Sequence, residues 1–86
     1  AAGADYGARG IRVNAVLPGI TKTPLIERLM EEPSFAAMKD KLLARHPMGR
    51  FGEPREIGEA VAWLLSDAAS FMNGAAVACD GGYLSI

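Results

Sequence analysis

Two short apolar runs, IRVNAVL (Ile11 to Leu17) and AAVACD (Ala75 to Asp80), flank the strongest helical pattern in the chain. In the first run Ile11, Val13, Ala15 and Leu17 share one face and Arg12, Asn14 and Val16 the other, the period of a strand with one wholly apolar face. Pro18 is expected to end it, because proline donates nothing to a ladder, and Gly19 then permits a sharp change of direction. Between the runs, Ile57, Ala60, Val61, Leu64, Leu65 and Ala68 recur at helical spacing and predict a wide buried stripe. Pro54 suits the start of that helix, and Glu56 and Glu59 lie where acids complement its dipole. The order predicts an α/β crossover: Ile11 to Leu17 and Ala75 to Cys79 as adjacent parallel strands, with a helix from Pro54 to Ser66 between them in sequence.

Two strands rarely make a stable sheet alone, and one large helix cannot cover both faces of a parallel pair. AAGADY reads as the last turn of a helix, with Gly7 or Gly10 as the left-handed residue after it. No methionine opens the chain, which is therefore expected to be the C-terminal piece of something longer. Thr23 followed by Pro24 is a helix start, cap then first position, and the helix PLIERLMEE should stop before Pro33. Ser34 is expected to cap a second helix, FAAMKDKLLARH, with Phe35, Met38, Leu42 and Leu43 as its stripe and Pro47 as its stop. Trp63 falls off the stripe of the last helix and is expected to pack on another element or subunit.

Nine basic and ten acidic residues leave a formal charge of −1 over 86 residues. That balance argues against a nucleic-acid partner and against an anionic membrane surface. No apolar run has the length of a membrane span, and the N-terminus lacks the pattern of a signal peptide. A single cysteine, Cys79, with no Cys/His cluster gives no zinc site and suggests a reducing, cytoplasmic setting.

The break PGITKT follows the carboxyl end of a strand, where open α/β sheets bind their ligands. Thr23 opens a helix whose free N–H groups attract anions, so a phosphate-bearing ligand beside Ile20 to Thr23 is one reading. The other is that Pro18-Gly19 is only a turn and Thr23 only a cap. Asn14, polar in a buried strand, needs hydrogen bonds and a structural role. His46, between Arg45 and Pro47 at a helix end, is expected at the surface, complementing the dipole. Asp80 with Gly81-Gly82 reads as a structural turn.

GIRVNAVLPGITKTP, GRFGEPREIGEAVAWLLSDAASFMNG and CDGGY, in that order, closely resemble the C-terminal third of the short-chain dehydrogenase/reductase family. The resemblance covers essentially the whole chain and is weakest from Glu27 to Pro47. It implies the C-terminal portion of a doubly wound, parallel, Rossmann-like sheet, all 86 residues being part of one dinucleotide-binding domain, with a substrate loop or lid over about residues 24–48. It also implies NAD or NADP as cofactor: Pro18, Gly19 and Ile20 shape the wall beside the nicotinamide, the Thr21 backbone bonds its carboxamide, and the Thr23 hydroxyl reaches the carboxamide or the pyrophosphate. Thr21 stands where the family more often has valine or isoleucine, and Lys22, at a variable position, is expected to be solvated. Leu25, Ile26, Leu29 and Met30 either line an apolar substrate pocket or merely pack the lid. Arg50 and Glu53 match structural positions that fix the start of the last helix.

The family's glycine-rich turn and its catalytic asparagine, serine and YxxxK pair are not in this stretch; Tyr6 is not that tyrosine, because Gly10 stands where the lysine would be. No catalytic residue is assigned here. The implied parent is an oxidoreductase acting on a small-molecule alcohol or carbonyl, assembled as a homo-oligomer, a tetramer. A reductase of 3-oxoacyl thioesters is the runner-up, although the 26 residues between Thr23 and Arg50 are long for that group. A non-catalytic cofactor-binding or assembly protein is the alternative from another class.

Overall fold

Strand β1 (Ala15–Pro18) pairs in parallel with β2 (Ala76–Cys79), in a register running from Ala15 opposite Ala76 to Pro18 opposite Cys79. The computed structural model describes residues 1–85. Helices α1 (Ala2–Tyr6), α2 (Pro24–Leu29), α3 (Pro33–Ala36), α4 (Lys39–Ala44) and α5 (Pro54–Leu65) complete the architecture, with α2 to α5 lying between the strands in sequence. The parallel pair and the intervening helix are as the apolar patterns predict; α5 ends one residue early, at Leu65, with Ser66 as its cap.

β1 is shorter than the seven-residue pattern, and the reason lies in two asparagines. Ahead of Ala15 a side-chain amide interrupts the ladder: Val13 N–H donates to Asn73 Oδ1 at 3.1 Å, while the Val13 carbonyl still accepts the backbone N–H of Gly74 at 2.8 Å. Asn14 donates from Nδ2 to Met72 O at 3.0 Å and accepts from Ala75 N–H at 2.9 Å, which satisfies it as a structural residue. Pro18 sits inside the strand as its last residue rather than beyond it. Donors to β2 alternate along the chain, from Ala15 N–H on Ala75 O at 2.8 Å to Gly19 N–H on Cys79 O at 3.1 Å, so the ladder asks for no N–H from residue 18.

Helix α5 covers the face that carries Arg12, Asn14 and Val16, the less apolar of the two. On that face the guanidinium of Arg12 finds its partners: Nη1 donates to Leu64 O at 2.8 Å and to Met72 O at 3.2 Å, and Nη2 to Ser66 O at 3.3 Å. It thereby satisfies carbonyls at the C-terminal end of α5. Of the predicted stripe, Leu64 is buried, Ile57 and Ala60 are half-buried, and Val61, Leu65 and Ala68 are exposed. Trp63 is off the stripe, as expected, and half exposed. The all-apolar face of Ile11, Val13 and Leu17 is uncovered among the described residues.

Of the two glycines after α1, Gly10 is the left-handed one, at φ 77°, while Gly7 is helical. The expected single helix after Pro33 is two. Pro33 is tolerated at the first helical position, so Glu32 and not Ser34 is the cap of α3. Met38 N–H then bonds Phe35 O, three residues back, at 3.0 Å, and this tighter step separates α3 from α4. Among the described residues, no helix is long and apolar enough to cross a membrane.

Candidate functional site

The carboxyl ends of β1 and β2 open onto a cleft of about 270 Å³. Gly19 and Ile20 form its wall from the β1 side; Cys79 to Gly82 form it from the β2 side; Arg50, Glu56 and Ile57 close it at the start of α5. Gly19 is there because nothing larger fits. A Cβ on it would lie 2.9 Å from Asp80 Cα and 3.0 Å from His46 Nε2.

Beyond Gly19 the loop is zipped to the connector before α5. Thr21 lies opposite Gly52 in an isolated parallel bridge, with Gly52 N–H donating to Ile20 O and Lys22 N–H to Gly52 O, both at 2.8 Å. Lys22 Nζ meets Glu53 Oε1 at 3.6 Å, a half-exposed pair in place of the solvated side chain expected. The bridge turns the N–H of Thr21 away from Gly52, and it has no partner among the described residues. Thr23 Oγ1 accepts from Ile26 N–H at 3.2 Å, so the threonine is the predicted cap. A hydroxyl that accepts in this way still has its proton to donate. The anion-attracting helix end is smaller than anticipated. Helix α2 has six residues, Pro24 has no N–H, and Ile26 and Glu27 N–H are both bonded to Thr23, which leaves Leu25 N–H.

Of the residues the sequence nominates, the cleft brings together Gly19 and Ile20. Pro18 is the strand end behind them, Thr21 and Thr23 continue along the zipped loop, and Leu25, Ile26, Leu29 and Met30 lie on and just after α2, outside the cleft. Leu25 is exposed; the other three are half-buried.

His46, expected at the surface, is buried. It is 2% exposed, the one polar or charged residue buried among the described residues. Its ring stands edge-on to Phe51 at 5.7 Å between centroids and tilted against Tyr83 at 5.3 Å. Nε2 accepts from Ile20 N–H at 3.2 Å, and Nδ1 lies 2.8 Å from Leu42 O. An amide N–H can only donate and a carbonyl can only accept, so the ring is neutral with its proton on Nδ1. A histidine beside proline at a helix end gives no local signal of this, because the partners that bury it are distant in sequence.

Arg50 and Glu56 define the other side. Nη1 and Nη2 of Arg50 donate to Oε1 and Oε2 of Glu56 at 2.7 and 2.8 Å. The same carboxylate accepts Glu53 N–H at 2.9 Å, the reciprocal arm of a capping box. The Arg50 bond foremost, then that Glu53 amide, hold the Glu56 carboxyl down at about 2, and the carboxylate raises Arg50 in turn. Both expected structural positions are therefore structural. Asp80 is too: its carboxylate accepts Gly82 N–H at 2.9 Å and Leu84 N–H at 3.1 Å, while Gly81 and Gly82 take positive φ.

Residues 1–84 match the family described as enoyl-(acyl carrier protein) reductase. The chain is 51% identical over 85 residues to a 2,5-dichloro-2,5-cyclohexadiene-1,4-diol dehydrogenase of Sphingobium indicum, covering 99% of this chain and 33% of that protein. It is 48% identical over 85 residues to a cis-4-hydroxycyclohexanecarboxylate dehydrogenase of Sinomonas cyclohexanicum, at 99% and 32% coverage. A solved structure from Agrobacterium tumefaciens with bound NADP, a candidate 2-deoxy-d-gluconate 3-dehydrogenase, superposes with a TM-score of 0.90 at 36% identity, over 99% of this chain and 33% of that one. The chain thus spans about a third of the length of the relatives it matches. With nearly its whole length matched in sequence and in structure, this chain belongs to the short-chain dehydrogenase/reductase family.

Proposed function

We propose that the chain is the C-terminal part of the single Rossmann-like domain of an NAD(P)-dependent oxidoreductase that interconverts an alcohol and a carbonyl by hydride transfer. The observation that carries this reading is the loop past the carboxyl end of β1. There the Thr21 N–H and the Thr23 hydroxyl proton, two residues apart, have no partner among the described residues, on a backbone that Gly52 holds rigid. Two such donors suit a carboxamide oxygen and a neighbouring phosphate. Pro18, Gly19 and Ile20 would form the wall beside the nicotinamide, which when bound supplies or accepts the hydride. The proton-transferring residues would come from the rest of the parent. NADP in the superposed relative supports a dinucleotide without choosing between NAD and NADP.

Residues 24–48 would form the lid, with Leu25, Ile26, Leu29 and Met30 presenting apolar surface to substrate; the exposure of Leu25 supports this. The names of the relatives favour a ring alcohol over a 3-oxoacyl thioester. Exposed Trp63, Leu65 and Phe71, with the short β2, support an oligomeric parent, a tetramer, since a symmetric partner covers such surface and edges. Free Cys79 suits a reducing cytoplasm.

The test is turnover by the full-length protein, with reduced nicotinamide followed optically against cyclic alcohols, acyclic alcohols and a 3-oxoacyl thioester. Faster reaction of the cyclic alcohols is expected; no oxidation or reduction of any of them with either cofactor would reject the proposal. Sedimentation of the same protein at micromolar concentration tests the assembly, and a monomer would contradict it.

A further inference from the structure

The chain leaves the zipped loop at Thr23, runs through α2, α3 and α4, and returns to it at His46. The imidazole ties the two feet of this excursion together. Nδ1 holds Leu42 O in the last turn of α4, and Nε2 holds the Ile20 amide at the edge of the cleft. Among the described residues, Ile20 N–H and Leu42 O are the hydrogen-bond partners of the two ring nitrogens. Asp80 is committed to the amides of Gly82 and Leu84, and Arg50 and Glu56 to each other. Arg45 lies over the Tyr83 ring at 5.3 Å, and Tyr83 meets the imidazole with its ring. We propose that His46 is a positioning residue. Its neutral ring fixes the Ile20 amide and so the Gly19–Thr23 wall against which, on the reading above, the nicotinamide end of the cofactor rests.

The experiment compares the full-length wild type with His46→Phe and His46→Gln. Phenylalanine keeps a ring between Phe51 and Tyr83 but has no acceptor; glutamine places an uncharged oxygen near the position of Nε2. Reduced dinucleotide is titrated into each by fluorescence at about pH 8, where histidines are uncharged. His46→Phe is expected to raise the dissociation constant roughly tenfold, the scale of one hydrogen bond, and His46→Gln to restore it to within a few-fold. If His46→Phe does not fold, His46→Asn, whose shorter amide does not reach the Ile20 N–H, takes its place with the same expected loss. Unchanged affinity in the variant without the acceptor, or no recovery in His46→Gln, would overturn the positioning role alone. A wild type that binds neither dinucleotide would overturn the cofactor reading on which it rests.

Discussion

Arg50 and Glu56 meet fork to fork, their two hydrogen bonds of 2.7 and 2.8 Å locking the connector before α5 onto the first turn of that helix. This fixes where Gly52 lies, and Gly52 in turn fixes Ile20 to Lys22. A structural ion pair thus sets the placement of the loop that the functional reading depends on.

The pair leaves a signature in acid. Glu56 is depressed from 4.5 to about 2, so its contribution to stability is full above pH 4.5 and is lost as pH falls toward 2. Melting temperatures of the full-length protein across that window should fall more steeply for wild type than for Glu56→Gln. Equal slopes would mean that the pair adds nothing to folding. Because both side chains are partly exposed, the difference should shrink in high salt.

Gly19 and Gly10 should fail for different reasons. Gly19→Ala drives a methyl into Asp80 and His46 and is expected to cost about 1–3 kcal/mol, the usual scale of overpacking. Gly10 has open space around it but φ 77°, so Gly10→Ala should cost about 1–2 kcal/mol from backbone strain, and Gly10→Asn should recover part of that. Denaturant midpoints of these three variants and of Gly19→Asn check this. Recovery at Gly19 with asparagine would contradict a steric origin.

Arg12→Lys should behave as a damaging change. A single ammonium cannot reach Leu64 O, Met72 O and Ser66 O together, and an expected loss of about 1–3 kcal/mol follows from unsatisfied carbonyls. Chemical unfolding of the full-length protein measures it; a change below about 0.5 kcal/mol would place the helix on the sheet by apolar packing alone.

Local chemistry was legible in the sequence and distant pairing was not. The strand at the end of the Ile11 to Leu17 run, helix α5, and the cap and proline at Thr23-Pro24 are written in neighbouring residues and appear, although β1 starts only at Ala15 and, of the expected stripe, Leu64 alone is fully buried. The strand's true start depends on Asn73, some sixty positions away, which no local pattern announces. Ser34 reads as a cap from its neighbours, yet Pro33 takes the first helical position of α3 and Glu32 is the cap. The largest miss at the site is His46, whose burial comes from Phe51, Tyr83 and the Ile20 amide brought together by tertiary structure. Which sheet face α5 covers was equally invisible, because the carbonyls that satisfy Arg12, at Leu64, Ser66 and Met72, are distant in sequence.

The measurement that bears most directly on the account is dinucleotide binding by the full-length wild type, Thr23→Ser and Thr23→Val, with melting curves alongside. Thr23 both caps α2 and, on this account, donates its free proton to the cofactor. Thr23→Ser should bind as wild type does. Thr23→Val should bind roughly tenfold to a hundredfold more weakly, as loss of a hydrogen bond to a charged group requires, and lose about 0.5–2 kcal/mol of stability with the cap. A Thr23→Val protein that melts earlier yet binds NADH or NADPH as tightly as wild type would make Thr23 a cap alone and contradict the cofactor role of this loop.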